Sequence, residues 1–314
     1  MRGGELMRPR ALRAGSTLAV ISPASAAKRE LVERGVARLE AMGYRTRMGA
    51  HAMDSGPLYY AGLARDRVAD LHAAFADSTV DGIVCTRGGW GCAELLPLLD
   101  AELIRSNPKV FVGYSDVTSL QMWMTESAGL LTFYGPMVAA DFAREGGVDP
   151  GSWRGSVVEA GPWSVGVEAG LRTLRAGVAE GSLRGGCLSI VAESLGTPYA
   201  LRPFRGVLFL EDIGTKPYQW DRMLVHLRLA GLLDEVTGIV FGDMAQCVGP
   251  EQMELLEEAI LHSLGKFAGP IAIGLRCGHV DGANVTLPLG VDVQLDCSDP
   301  LQPQIHFLDG AVRI

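Results

Sequence analysis

The chain is poor in lysine. Only Lys28, Lys109, Lys216 and Lys266 occur, and arginine carries the rest of the positive charge. With 28 Lys and Arg against 36 Asp and Glu, the formal net charge is −8, and no basic cluster offsets it. A protein that grips nucleic acid through phosphates presents a basic surface, so DNA or RNA is not an expected partner. Uncharged apolar runs of the roughly 18 residues that cross a bilayer are missing, so no membrane is expected either. Residues 1–15 contain no apolar segment followed by a cleavage site, which argues against a secretory leader. A start at Met7 would leave residues 1–6 as an unstructured lead. The six cysteines (85, 92, 187, 247, 277 and 297) form no Cys-x-x-Cys, and the six histidines no His-x-His or His-x-x-x-His. No metal is therefore expected, and the thiols read as buried small hydrophobes in a reducing cytoplasm. Internal repeats and low-complexity tracts are absent from the sequence.

What is there is an ordinary globular composition. The 314 residues are 48% hydrophobic and 20% charged, with 40 glycines and 16 prolines. That length exceeds what one compact core usually holds, so two domains are expected. Over residues 1–140, strand signals alternate with helix signals. Thr17–Ile21, Val80–Cys85, Val110–Gly113 and Leu130–Phe133 read as strands. Leu31, Val32, Val36, Leu39 and Met42 recur at helical spacing, and Val117–Met124 is a further helix. The alternation predicts an α/β fold with a mainly parallel N-terminal sheet flanked by helices. From 141 to 184 glycine and proline break the pattern, and the segment reads as an inter-domain connection. Residues 185–314 then read as a second α/β domain rich in strands. Its expected strands are Cys187–Val191, Gly206–Leu210, Gly238–Phe241, Ile271–Ile273, Val285–Leu287, Val291–Leu295 and Ile305–Leu308, and its helices Asp221–Leu233 and Gln252–Leu264.

Four segments could carry chemistry. In Val110-Phe-Val-Gly-Tyr-Ser-Asp-Val117 a strand ends at Gly113, Ser115 sits in the turn and a helix follows. Open α/β folds place ligands at such carboxyl edges, and the first helical N–H groups can meet an oxyanion. The segment resembles a nucleophile elbow, but Val117 stands where Gly-x-Ser-x-Gly has glycine. A helix-capping serine is the commoner fate of such a residue. Thr86-Arg-Gly-Gly-Trp-Gly91 follows another strand, and its glycines suit either close ligand approach or a tight turn. It lacks the last glycine of a dinucleotide fingerprint and the Lys-Ser/Thr of a phosphate loop. Glu211 and Asp212 end a strand and point to opposite faces, so one of them can serve a given site. His279, between glycines 278 and 282 after a strand, has the best loop setting of the six histidines. Serine needs a base, and the base needs an acid to hold its tautomer. Ser115, His279 and either Glu211 or Asp212 could fill those roles.

In order along the chain, further segments join these: Leu95-Leu-Pro-Leu-Leu-Asp100, Phe133-Tyr-Gly-Pro136, Pro217-Tyr-Gln-Trp-Asp-Arg-Met223, Leu227-Arg-Leu-Ala-Gly231, Gly242-Asp243, Asn284 and Leu287-Pro-Leu-Gly290. The ordered set resembles the LD-carboxypeptidase family of serine peptidases, which includes murein tetrapeptide carboxypeptidases and microcin C immunity hydrolases. The resemblance implies Ser115 as nucleophile, Glu211 as orienting acid and His279 as general base. It implies an oxyanion hole from the backbone N–H groups of Gly89 and Asp116. It also implies a cytoplasmic homodimer without metal or cofactor that removes terminal D-alanine from a cell-wall tetrapeptide. Trp90 stands where the family usually has Tyr, which keeps a flat apolar surface and loses a hydroxyl. A substrate carboxylate calls for a cation, and Arg87 and Arg222 are candidates. The alternative substrate is a peptidyl- or aminoacyl-nucleotide, for which Trp153, Trp163 or Trp220 would offer a nucleobase platform. A non-enzymatic binder with Ser115 as a cap is the third possibility.

Overall fold

The computed structural model describes residues 6–244 and 246–314, so residues 1–5 of the lead expected at 1–6 lie outside the described residues. The first strands are β1 (Thr17–Ile21), β2 (Arg45–Met48), β3 (Gly82–Cys85), β4 (Val110–Gly113) and β5 (Thr132–Tyr134). Then come β6 (Trp163–Val165), β7 (Arg172–Arg175), β8 (Val178–Cys187), β9 (Gly206–Glu211), β10 (Val236–Gly242) and β11 (Ile271–Leu275). The last are β12 (Leu287–Leu289), β13 (Asp292–Asp296) and β14 (Gln304–Phe307). They form two sheets with flanking helices, so the fold is mixed α/β. Two compact units result: the chain up to Gly161 with Gly282–Gly290 and Gly310–Ile314, and Pro162–Asp281 with Val291–Asp309.

The first unit holds a six-stranded sheet, in the order β12-β5-β4-β3-β1-β2. All neighbours are parallel except β12, which runs antiparallel to β5. Strands β3 and β4 are buried along their whole length, which is why Gly-Ile-Val-Cys and Val-Phe-Val-Gly are continuous apolar runs. β2 is Arg-Thr-Arg-Met, mostly exposed at the sheet edge. Charged side chains discourage pairing there, and they also hide the strand from a hydrophobic pattern.

The second unit holds an eight-stranded mixed sheet, in the order β6-β14-β13-β8-β9-β10-β11-β7. Its central strands β8 to β11 are parallel, and the outer pairs are antiparallel. Helices Pro217–Leu229 and Met253–Leu264 follow β9 and β10.

Three expectations need correction. Residues 141–184 are not a connection: they contain the helix Pro150–Val157, β6, β7 and most of β8, and the units divide between Gly161 and Pro162. One of the glycines that suggested a linker, Gly181, is a packing requirement of β8. A β-carbon on it would fall 2.7 Å from Gly206 Cα. Cys187–Val191 is not a strand, because β8 ends at Cys187 and Leu188–Ser194 is helical. A short apolar run does not separate buried strand from buried helix. The strand expected at Val285–Leu287 lies at Leu287–Leu289 and belongs to the first sheet, where Leu287 pairs with Tyr134 and Leu289 with Thr132. Hydrogen bonds from Thr286 N–H to Ser152 Oγ (3.0 Å) and from Ser156 Oγ to the Thr286 carbonyl (2.9 Å) fix the segment before it.

Candidate active site

Ser115 follows β4 at the carboxyl edge of the first sheet, with a φ of 64°. An L-residue in this left-handed region carries strain of order 1–3 kcal/mol, and such strain gathers at functional turns. Ser115 is not a helix cap. Tyr114 holds the capping position of the 3-10 turn Ser115–Val117, and neither that turn nor the helix Thr118–Trp123 has a side-chain cap bond. The Ser115 N–H donates to the Tyr134 hydroxyl at 3.1 Å, so β5 helps to hold the turn. Gln121 Nε2 donates to the carbonyls of Gly113 (3.0 Å) and Phe133 (2.9 Å), tying the ends of β4 and β5 together. Val117 is compatible with the elbow because Gly113 supplies the space. A β-carbon on Gly113 would meet Val117 Cγ1 at 2.8 Å, so one small residue of the pair suffices.

The glycine loop after β3 lies against this turn. A β-carbon on Gly88 would fall 2.7 Å from Ser115 Cβ and 3.3 Å from the Asp116 backbone nitrogen. Asp116 Oδ2 accepts the buried Cys92 N–H at 2.8 Å, anchoring the far end of the loop. Arg67, with only 1% of its side chain exposed, donates through Nη1 to the carbonyls of Pro23 (2.7 Å) and Gly91 (2.9 Å) and pairs with Glu94 (2.6 Å). Gly89 has φ 112°, a conformation open to glycine. Among the described residues its N–H donates to no protein acceptor.

In the second unit Glu211 ends β9 and His279 follows β11. His279 Nδ1 lies 2.8 Å from Glu211 Oε2 and 3.2 Å from Oε1, and the His279 backbone N–H donates to Oε2 at 3.0 Å. A carboxylate on Nδ1 fixes the tautomer and leaves Nε2 as the acceptor. The Glu211 side chain is 3% exposed and the His279 side chain 12%, so the pair is shielded while the imidazole keeps an accessible face. The geometry settles which acid adjoins His279. Asp212 faces elsewhere, accepting the N–H groups of Ser189 and Ile213, both at 2.8 Å, and burial pushes its carboxyl above the ordinary value. The cysteines near these groups offer no rival nucleophile. Burial pushes the thiols of Cys92 and Cys187 up, and a protonated buried thiol is inert.

The other candidates divide clearly. Arg87 and Arg222 are exposed and form no ion pair among the described residues. Trp90 is 62% exposed and packs on Tyr59, itself 50% exposed, with ring centroids 5.2 Å apart. The three tryptophans expected as a nucleobase platform are engaged otherwise. Trp153 is buried and donates to the Tyr44 hydroxyl at 3.0 Å, Trp220 is buried against Phe241, and Trp163 stacks on Phe307 at 4.2 Å. Sequence reasoning gave no separate role to Tyr134, which entered only within Phe133-Tyr-Gly-Pro136, or to Tyr59, whose pair with Tyr60 carries no motif. No group of three or more His, Cys, Asp or Glu among the described residues is arranged to hold a metal. No described helix is long and apolar enough to cross a membrane.

Comparison with known proteins agrees with this layout. The LD-carboxypeptidase N-terminal domain matches residues 18–135 and the C-terminal domain residues 180–295. A Bacillus subtilis protein named "Probable murein peptide carboxypeptidase" is 34% identical over 297 residues, covering 93% of this chain and 92% of its own. The murein tetrapeptide carboxypeptidase of Pseudomonas aeruginosa is 30% identical over 271 residues, covering 83% of this chain and 87% of its own. The structure of the microcin C7 self-immunity protein MccF in complex with aspartyl sulfamoyl adenosine is similar in fold, with a TM-score of 0.87. It is 23% identical and covers 98% of this chain and 100% of that one. With both domains matched in order and similarity running through most of its length, the chain belongs to the LD-carboxypeptidase family.

Proposed function

We propose that this protein is a serine LD-carboxypeptidase that releases terminal D-alanine from a cell-wall muramyl tetrapeptide during peptidoglycan recycling. Family membership supports carboxypeptidase action on a cell-wall peptide. The observation that carries the serine mechanism is the strained backbone of Ser115 at the end of β4, beside a glycine loop whose Gly89 N–H has no acceptor among the described residues.

In this reading Ser115 Oγ attacks the carbonyl carbon of the amide that joins the L-centre to D-alanine. His279 Nε2 takes the hydroxyl proton, and Glu211 holds Nδ1–H and offsets the charge that forms on the ring. The N–H groups of Gly89 and Asp116 stabilise the tetrahedral oxyanion. Collapse breaks the C–N bond while His279 returns the proton to the leaving amine of D-alanine. Water then attacks the acyl-enzyme, again through His279, and frees Ser115. The chemistry requires the Ser115 hydroxyl to come within hydrogen-bond reach of Nε2 during turnover. Arg87 or Arg222 meets the carboxylate of the departing residue, and Trp90 supplies an apolar surface for the peptide. We further infer a homodimer working in the cytoplasm, a reducing compartment in which the buried free thiols stay reduced.

The test is mass spectrometry of a muramyl tetrapeptide ending in D-alanine, incubated with wild type or Ser115→Ala. Loss of D-alanine with wild type alone is expected, and loss with both proteins would remove Ser115 from the mechanism. The Tyr59–Trp90 pair offers an exposed aromatic face, which supports keeping a microcin-type amidase as the second reading. If wild type leaves the tetrapeptide intact and cleaves an aminoacyl sulfamoyl nucleoside, that second reading replaces the first.

A further inference from the structure

The turn after β1, Ser22-Pro-Ala-Ser25, has no part in the mechanism above, yet its last residue touches the glycine loop at three points. Ser25 is 4% exposed. Its N–H donates to the Gly88 carbonyl (3.4 Å), and its Oγ accepts the Trp90 N–H (3.1 Å). A β-carbon on Gly89 would fall 2.3 Å from Ser25 Oγ. The peptide units on either side of Gly89 are thus both held by one residue.

That arrangement fixes a direction. In a trans peptide the C=O and N–H point opposite ways. The Gly88–Gly89 peptide turns its carbonyl toward Ser25, so it turns the Gly89 N–H away from Ser25. Glycine is the residue least able to hold such an orientation by itself. We propose that Ser25 is a positioning residue that pins the Gly89 N–H in its oxyanion-binding orientation. Its side chain is the stronger of the two ties, because the backbone bond to Gly88 is long. Ser25 is itself well anchored. It pairs with Tyr60 through an antiparallel bridge, and Arg67 links the Pro23 carbonyl of the same turn to the Gly91 carbonyl. The inference rests on Ser115 being the nucleophile and is indifferent to the substrate.

The experiment compares wild type, Ser25→Ala and Ser25→Thr by two readouts. One is the rate at which a fluorophosphonate probe labels Ser115, which develops negative charge on a phosphoryl oxygen and needs no knowledge of the substrate. The other is kcat and KM on the muramyl tetrapeptide. Ser25→Ala is expected to slow labelling and lower kcat by roughly 10- to 100-fold, with KM within about twofold of wild type, because an oxyanion exists only after attack. Ser25→Thr keeps the acceptor and is expected to stay within a few-fold of wild type in both. If Ser25→Ala is too unstable to purify, Ser25→Cys, a weaker acceptor, replaces it with the same direction of effect. Unchanged labelling in a folded Ala or Cys variant overturns the proposal. So does a rise in KM with kcat intact, which would mean ground-state binding, or a Thr variant as slow as Ala. Wild type that labels but leaves the tetrapeptide whole rejects the substrate reading and leaves the Ser25 comparison decisive through labelling. Wild type that never labels rejects the nucleophile and this inference together.

Discussion

Glu211 Oε2 accepts two hydrogen bonds from a single residue, His279: one from its backbone N–H at 3.0 Å and one from the ring Nδ1 at 2.8 Å. The carboxylate therefore fixes the position of the loop and the rotation of the imidazole at once. Glu211→Gln keeps the size, but its amide NH₂ would face one of two donors. We expect kcat for D-alanine release to fall on the order of 10³-fold or more, with a smaller change in KM. Steady-state kinetics on the tetrapeptide checks this, and a loss below tenfold would show that Glu211 does not orient the base.

Gly278 bears on the same pair. Its φ is 94°, and a β-carbon there would fall 2.4 Å from Glu211 Cδ. Gly278→Ala is expected to displace the Glu211–His279 pair and to cost about 1–3 kcal/mol of stability through backbone strain, before any clash is counted. Chemical denaturation and D-alanine release should both record the damage. A variant with wild-type activity would mean that the loop adopts another conformation in solution.

The elbow at Ser115 makes a coupled prediction. Gly113→Ala should destabilise the protein by about 1–3 kcal/mol, since the added methyl meets buried Val117. Val117→Ala should also destabilise, by the loss of buried methyl groups. Together they should cost less than their sum, because each removes the conflict the other meets. A double-mutant cycle measured by urea unfolding tests this, and strict additivity would show that the two side chains do not share the space.

Asp212 links the fold to pH. Its carboxyl is pushed above the ordinary value by burial, against the two backbone N–H groups it accepts. Between the ordinary and the raised value the folded protein holds a proton that the unfolded chain has lost. Stability should therefore fall as pH rises through that window, from about pH 4 upward. Asp212→Asn should be less stable overall, since one of those N–H groups would face the amide NH₂, which donates and cannot accept, and its stability should lack this downward slope. Urea midpoints across the acid range would show it, and parallel curves for the two proteins would contradict the assignment.

How much of this could be read in the sequence depends on what each residue does locally. β4 was legible to the residue, because a central parallel strand is one apolar run closed by a glycine. Ser115 was legible as a turn residue, but not as a strained one, since its backbone angle reflects Tyr134 and the glycine loop, both far away in sequence. Glu211 and Asp212 were indistinguishable as neighbours on a strand, and only their partners, His279 for one and Ser189 with Ile213 for the other, separate them. β2 was hidden by its charges and β8 by its glycines, each the residue type its position demands. The platform tryptophans failed for the converse reason. Tryptophan is large enough to be core wherever core is near, and Trp153 and Trp220 are.

The return of the chain to the first sheet at β12 sets the order in which that sheet can be assembled. β12 closes the edge beside β5, and β5 carries the Tyr134 hydroxyl that receives the Ser115 N–H. On the ribosome, residues up to Gly161 emerge with that edge unpaired, and the partner strand follows only after the second unit's residues through Asp281 have been made. The sheet that bears the serine is thus completed late, although five of its six strands are encoded first. A nascent or prematurely terminated chain would carry Ser115 without the closed edge behind it.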